Sequence, residues 1–461
     1  MRKQRRYLPF SSVVKRAAGP VALCLALLGS ACSGSKGAVV TSPTDDGGGP
    51  SPAGGEAPPP VLIPGDRVIT SQTDINELMA VTAFAIGGDL ILEGIGDTDL
   101  TGLDSLVQVE GSLLIRDNPG LQRLPLDGLQ HVAGDLVVRG NPVLHTVGVF
   151  PRLERLNGSI VLEGNGPADL GGFAALDRLD GDLRIAGYDG LRVVSGFGKL
   201  IRIGGSLQIL NNHGTALRLP GLQRLARVQG GMQVESNSID TLVAPAGLLS
   251  VGGSLEVTDN SLHALSGLGQ LELIEGSFVL AADDSLQVVE ELTNLTEIGG
   301  ALSLRGLSRL STVAFLDGLS RVDGGFELVD NTVLATVRLP RLQRAGGMRL
   351  TCDPLDCALQ EMEFAELDRL HGDLVIAGTR LLNLDGLSHL RTVEGDLILQ
   401  FNDALDDIQG LAGLDTLGGE QALFINERQP LDQIADLVEQ LRDHGFEGEV
   451  QIVGGFTGLA E

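Results

Sequence analysis

A five-residue phrase that recurs along most of the chain constrains the fold more than any other feature. The phrase consists of Gly, a small or polar residue, an apolar residue, any residue and a second apolar residue. Sixteen copies can be placed between Gly88 and Gly448, and most successive copies start 23 or 24 residues apart. A repeat of this length is typical of a solenoid, in which each unit buries its apolar face only against its neighbours. Clear copies begin at Gly111, Gly134, Gly181, Gly205, Gly253 and Gly395.

The repeat of residues 111–133 indicates what each unit encodes. Leu113 and Ile115 are two residues apart, and we expect them to alternate with polar, solvent-facing neighbours, as in a strand with one buried face. Stacked copies then form a parallel sheet with strands about 4.8 Å apart. The predicted fold is all-β: a single-stranded parallel β-helix or leucine-rich solenoid of about sixteen coils, with short capping helices.

Two segments are predicted to cap the ends of this stack. Residues 68–81 suggest a strand and a short helix, with Thr73 or Asp74 as the N-cap and Glu77 reaching back to Asp74. Residues 430–444 have apolar residues at helical spacing and precede Gly445, which favours a C-terminal helix cap. A final strand is expected at 450–452.

A turn is predicted seven residues after each repeat Gly. Asn tolerates left-handed backbone, and its amide can satisfy backbone groups locally or bond from coil to coil. We therefore predict a structural ladder of Asn side chains rather than a ligand site. Asp283 and Asp353 take the same slot in two other copies. The predicted Asn ladder comprises Asn118, Asn141, Asn165, Asn212, Asn237, Asn260, Asn331 and Asn402.

The N-terminus indicates export. Residues 1–16 are basic, an apolar run follows, and small residues precede Cys32, so residues 1–31 are predicted to be a signal peptide. The small residues directly before Cys32 resemble a bacterial lipoprotein signal, which implies lipidation of Cys32 and, with Ser33 next, the outer membrane or cell surface. Cleavage near Ala31, giving a free secreted protein, is the alternative. Residues 32–64 are predicted to be the anchor and a disordered Pro- and Gly-rich tether, and residues 65–461 the solenoid.

Charge and composition narrow the classes of partner. The net charge is −27, and removal of residues 1–31 takes away six positive charges and no acid, which leaves −33. This argues against nucleic acid and against docking on anionic lipid, so the only expected membrane link is the lipid anchor. There is no Trp, and Tyr occurs twice, which counts against a stacking surface for sugars.

Two cysteines remain in the predicted solenoid, in the segment T-C-D-P-L-D-C. An exported protein favours a local disulfide between Cys352 and Cys357, which closes a short ring and adds little global stability. Metal binding is the alternative, but two thiols without a nearby His do not make a zinc site. We predict no metal and no cofactor.

The combination of motifs resembles a known superfamily. The opening T-D-I-N-E-L, the later I-G-G-D-L-I-L and the repeated L-x-x-L-x-x-V-x-G-x-L-x-I resemble the receptor L-domain, a leucine-rich β-helix also found in bacterial surface lipoproteins. The resemblance covers roughly residues 66–456. It implies the fold, but it transfers no ligand-contact residue, and the family's disulfides are missing.

No catalytic motif stands out. The seven His are scattered, and neither H-E-x-x-H, G-x-S-x-G, a P-loop nor G-x-G-x-x-G occurs. We therefore predict a non-enzymatic cell-surface lipoprotein that binds or adheres to an extracellular protein or glycan, without naming the ligand. The alternatives are a structural envelope component without a specific ligand, and a polysaccharide-active β-helix enzyme with a carboxylate pair from distant coils.

Overall fold

The computed structural model describes residues 59–78, 82–96, 98–145, 150–166, 169–214, 216–290, 292–426 and 430–454. They belong to one compact unit that begins at Pro58. The predicted signal peptide, Cys32 and most of the predicted tether lie outside the described residues. Within them the chain forms a β-solenoid of about 16 turns with two α-helices, which confirms the predicted fold class.

The repeat phrase forms the strands of the main sheet, one from each coil. All its strands are parallel, and equivalent residues pair in register, as Leu113 does with Leu136. The main sheet comprises Arg67–Ile69, Leu90–Glu93, Leu113–Arg116, Leu136–Arg139, Ile160–Glu163, Leu183–Ala186, Leu207–Leu210, Met232–Glu235, Leu255–Thr258, Phe278–Ala281, Leu302–Arg305, Arg321–Val329, Arg344–Thr351, Leu374–Ala377, Leu397–Gln400, Gln421–Asn426 and Glu449–Gly454.

Shorter strands precede the repeat Gly and line a second wall, which we call the side sheet. Its first five strands, from Val61–Ile63 to Arg155–Leu156, form a sheet of their own. The later ones join the main sheet through two long strands, Arg321–Val329 and Arg344–Thr351, which belong to both. Besides these two, the strands of the side sheet are Val61–Ile63, Phe84–Ile86, Leu106–Val109, His131–Val132, Arg155–Leu156, Arg178–Leu179, Arg202–Ile203, Arg227–Val228, Ser250–Val251, Leu273–Ile274, Glu297–Ile298, Arg369–Leu370, Thr392–Val393 and Thr416–Leu417.

A third wall closes each coil. It contains the strands Asp169–Leu170, Val193–Val194, Leu217–Arg218, Thr241–Val243, Ala264–Ser266, Val288–Val289, Thr336–Arg338 and Glu361–Glu363. In other coils 3₁₀ turns lie near this place, at Thr101–Ser105, Ala314–Leu316, Asp385–Leu387 and Gln409–Leu411. A further 3₁₀ turn, Pro220–Leu222, directly follows the strand Leu217–Arg218 in the same coil. The apolar core fills the space between the walls and runs through the whole stack.

The repeat Gly is required because the coils approach each other closely at that point. A Cβ atom on Gly134 would lie 2.9 Å from the carbonyl carbon of Gly111 in the preceding coil. Gly181 has the same relation to Gly158, at 2.6 Å. A side chain at either position would therefore force the neighbouring coils apart.

Helix α1, Gln72–Leu78, covers the first coil with buried Ile75 and Leu78. The carboxylate of Asp74 accepts hydrogen bonds from the amides of Thr70 and Ser71, both at 2.9 Å. These bonds, from Thr70 first, lower the pKa of Asp74. The predicted cap was therefore wrong in its register: the helix begins before Thr73, and Asp74 reaches back from the first turn instead of preceding it.

Helix α2, Leu431–Asp443, occupies the predicted C-terminal position and buries Ile434, Leu437 and Leu441. The strand Glu449–Gly454 then completes the main sheet. At the other end, Val61–Ile63 pair with Phe84–Ile86, within the range predicted to be tether. The folded part thus starts slightly before the predicted boundary at residue 65, because this strand extends the side sheet.

Candidate binding surfaces

The eight predicted ladder Asn residues are all buried and all bond in the same way. Each side-chain amide donates to a main-sheet carbonyl of the preceding coil, at 2.8–3.1 Å. Each side-chain oxygen accepts the backbone amide that lies one coil earlier. These side chains therefore satisfy two buried backbone groups per coil, which leaves little capacity for a ligand.

The left-handed residue of each turn is not the ladder Asn but the residue before it. Asp117, Asn211 and Phe401 have φ between +53° and +57°, and Gly140 has φ +64°. The ladder Asn follows this residue and points inward, because the left-handed step turns the chain around the corner. The interpretation of Asn as the residue with left-handed backbone was wrong.

In the structure two further residues belong to the Asn ladder, and one residue predicted at a ladder position does not. The buried hydroxyl of Tyr188 accepts from the Asn165 amide at 3.0 Å, and burial raises the pKa of this phenol. Asn426 accepts from the Asn402 backbone amide at 2.8 Å. Asp353, predicted in the ladder slot, is instead exposed and accepts from the Leu355 amide in a surface loop. The inserted loop after Cys352 displaces it from the buried column.

Asp283 occupies a ladder position but cannot complete it. The residue is 1% exposed, and its Oδ2 has no hydrogen-bond partner. Burial raises the pKa of Asp283 to about 7; hydrogen bonds from Leu262 and Asn260 oppose this shift, and the nearby charge of Asp259 adds to it. The following coil offers Leu307 at this place, so the polar ladder is interrupted here.

Carboxylates beside the repeat Gly form a second ladder at the start of the main strands. Asp89 accepts from the Ser112 amide at 2.7 Å, Asp135 from the Ser159 amide at 2.8 Å, and Ser112 from the Asp135 amide at 3.1 Å. The same bond recurs at Asp182, Asp373 and Asp396. These acids serve the backbone of the next coil.

The structure joins Cys352 and Cys357 in a disulfide with the Cα atoms 5.6 Å apart. Cys357 is buried in the core, whereas the loop between the two cysteines is exposed and carries Leu355 at 83% exposure. The disulfide therefore fixes a projecting loop on the solenoid surface.

The outward face of the main sheet carries an uninterrupted apolar stripe in its first five coils. Val68, Ile91, Leu114, Val137 and Val161 pair in register and lie outside the core. The expected alternation with polar neighbours was therefore wrong in these coils. The stripe is about 19 Å long at the usual strand spacing.

Polar residues border the stripe on both sides. The Asp and Ser side chains of the second ladder follow one border, and Glu93, Arg116, Arg139 and Glu163 follow the other. Arg116 and Glu93 form an ion pair at 2.8 Å. In the next four coils the same outward column is polar, at Arg184, Gln208, Gln233 and Glu256. It is apolar again at Val279 and at the paired residues Val375, Ile398 and Leu423.

Concave features are shallow where the structure describes the chain. A depression of about 110 Å³ lies on the main sheet near Gln208, Gln233 and Glu256. Small-molecule sites usually enclose about 300–1,000 Å³. In the described ranges no group of three or more His, Cys, Asp or Glu side chains could hold a metal ion.

Histidine forms one ion pair with a carboxylate in the described part of the chain. His371 Nδ1 lies 3.1 Å from Glu394, and the hydrogen bond from His371 lowers the pKa of this carboxyl. No helix among the described residues is long and apolar enough to cross a membrane. No protein-family model matches the chain, and a search of curated proteins gave no match.

Proposed function

We propose that this chain is an exported, lipid-anchored surface protein whose solenoid binds an extracellular protein through the apolar stripe. The observation that carries the proposal is the stripe itself. A spacer without a ligand needs only a polar outer surface, and the coils from Arg184 to Glu256 supply one on the same column. Five stacked aliphatic side chains with a charged border have the composition of an interface core and rim.

The chemistry of the stripe favours a protein over a glycan. Its residues are all aliphatic, so it offers no ring for stacking against a sugar, and the described solenoid buries Tyr188 in its core. A flat aliphatic face of this kind complements an apolar protein surface, and the flanking charges of Arg139 and Glu163 can fix its orientation.

The proposed family and location rest on the sequence. Membership of the receptor L-domain superfamily is supported by the stacked leucine-rich coils and their Asn turns. Export and anchoring are supported by the basic start, the apolar run and Cys32. The enzyme hypothesis receives less support, since the carboxylates beside the repeat glycines are bonded to backbone amides.

The proposal can be tested with a charged substitution in the stripe. The double variant Leu114→Lys, Val137→Lys should lose binding of the envelope or extracellular protein that the wild-type chain captures. Each Lys would place an unpaired charge in an apolar interface, so we expect a loss of about tenfold or more in affinity. Affinity would be measured by surface plasmon resonance after identification of the captured protein.

The matched control is Gln208→Lys, Gln233→Lys, which adds the same charge to the polar part of the same column. It should bind within about twofold of wild type, since no interface is proposed there. Thermal melts would verify that both variants fold. Equal binding by both variants would exclude the stripe as the binding surface. If the wild-type chain captures no protein but its deletion causes an envelope defect, the structural role is favoured.

A further inference from the structure

Four arginines form a straight column on the outside of the side sheet. Arg178, Arg202 and Arg227 are paired in register on successive strands. Arg155 takes the same place one coil earlier, three residues before Gly158, whose carbonyl accepts from the Gly181 amide. We call these four residues the arginine column. Paired strands lie about 4.8 Å apart, so the three paired members span about 10 Å.

All four side chains are exposed, and none has an acidic partner within ion-pairing distance among the described residues. Arg202 donates to Gln229. Farther along the same sheet position, Arg321 pairs with Glu297 at 3.1 Å and Arg369 with Glu394 at 3.2 Å. Arg344, which pairs in register between Arg321 and Arg369, has no ion pair among the described residues. The arginine column therefore differs from Arg321 and Arg369, but not from Arg344, in lacking an acidic partner at the guanidinium groups.

The surroundings of the column are also rich in positive charge. Exposed Arg152, Lys199 and Arg224 each lie three residues before a column arginine, at the preceding corner. The exposed acids adjacent to the column strands are Glu154, Asp177 and Asp180. Within three residues of a column arginine the chain therefore carries seven cations, the column included, and three acids, although its net charge is −27. Stacked like charges repel each other, and a bound anionic ligand would remove that repulsion.

The coils beneath the column are rigidly stacked. Phe150, Phe173 and Phe197 each lie five residues before a column arginine and are fully buried. Their rings stack with centroids 5.1 and 4.6 Å apart. This packing fixes the spacing of the strands that carry the guanidinium groups, so little order has to be gained on binding.

We propose that the arginine column binds a linear acidic polysaccharide, with carboxylate or sulfate groups of successive sugar residues placed along the column. Guanidinium groups bind such oxyanions through two parallel hydrogen bonds. The column is one residue wide, which suits a single extended chain. A broad polyanion such as duplex nucleic acid would meet the acidic remainder of the surface, and no exposed aromatic residue in this column offers stacking to unpaired bases.

The test uses the mature full chain and four immobilised probes: heparin as a sulfated polysaccharide, polygalacturonate as a carboxylated one, neutral dextran, and single-stranded DNA. The wild-type chain should bind one or both acidic probes and not dextran. The variant Arg178→Ser, Arg202→Ser, Arg227→Ser should bind about tenfold or more weakly. The slope of log affinity against log salt concentration should fall by about 2 in the variant.

The matched control is Arg123→Ser, Arg309→Ser, Arg341→Ser, which removes the same charge from exposed positions outside the column. It should bind within about twofold of wild type. Equal loss in both variants would show that net charge alone is responsible and would overturn the proposal. Absence of binding to both acidic probes, or binding to single-stranded DNA with higher affinity than to either, would overturn it as well. The apolar stripe is untouched in both variants, so protein binding there is scored separately.

Discussion

Asp283 shows how a single side chain alters a repeated position. The ladder Asn residues donate an amide hydrogen to a carbonyl of the preceding coil, and an ionised carboxylate cannot. In Asp283 the oxygen Oδ2 stands where Asn has its NH2 group. This replacement explains both the buried Oδ2 without a partner and the raised pKa of about 7. The folded chain therefore favours a protonated Asp283.

We predict that Asp283→Asn stabilises the protein at neutral and alkaline pH. The unfolded carboxyl has a pKa of about 3.9, so between about pH 4 and pH 7 unfolding releases a proton and stability falls as the pH rises. Above about pH 7 the carboxyl is ionised in both states, and the stability of the wild-type chain falls no further. The variant should exceed wild type in free energy of unfolding by roughly 2–4 kcal/mol at pH 8, with little difference at pH 4.

Urea unfolding at pH 4, 6 and 8 would check this prediction, with the difference between variant and wild type as the observable. Asn237→Asp provides the mirror experiment, because it places a carboxyl in an intact rung and should introduce the same pH dependence. A variant advantage that is equal at pH 4 and pH 8 would disprove the argument.

At this scale the sequence identified the ladder slot but not every occupant. The spacing from the repeat Gly locates eight Asn residues. It does not reveal Tyr188, which is of another residue type, or Asn426, which lies in a copy with a weaker repeat phrase. Asp353 was misplaced because a loop insertion changes the relation between count and position. The arginine column had a readable signal, an Arg three residues before the repeat Gly in four successive copies, that was overlooked.

Among the elements, the Asn ladder has the largest expected effect on stability. Asn141 accepts from the Asn118 amide and donates to the Ile115 carbonyl at 3.1 Å, and both backbone groups are buried. Asn141→Ala would remove the partner of both groups at a buried position of the core. We expect a loss of about 2–4 kcal/mol in the free energy of unfolding.

Asn294→Ala is the control for this prediction. Asn294 donates to the Gly269 carbonyl at the exposed surface, at 2.9 Å, so water can replace its amide. Its loss should cost about 0.5 kcal/mol or less. Similar unfolding midpoints for the two variants would mean that burial of the ladder does not govern its contribution.

The strands were predictable from sequence because their inward positions are almost invariably aliphatic, as at Leu113 and Ile115. The residues at the outward positions of these strands were less predictable. Period-two alternation predicts polar residues at the positions of Leu114 and Val137, and the apolar stripe is visible only when the coils are aligned in register. The register of α1 was missed by a few residues, since Ser71 and Asp74 can each serve a cap.

For the whole molecule, the proposed anchor gives a direct prediction. Cys32→Ser should move the chain from the detergent phase to the aqueous phase in a partition experiment, because the lipid is the proposed membrane link. Cys24→Ser, within the predicted signal, should leave partition unchanged. A Cys32→Ser chain that still enters the detergent phase would contradict lipidation at this residue.

Each coil is bonded to the coil before it and the coil after it, and the strand register advances by one repeat throughout. A gene segment that encodes one repeat can therefore be duplicated or deleted without creating a new kind of contact, provided that α1 and α2 still close the two ends. The number of coils is consequently a heritable variable, and the reach of the molecule can evolve independently of the surfaces it carries.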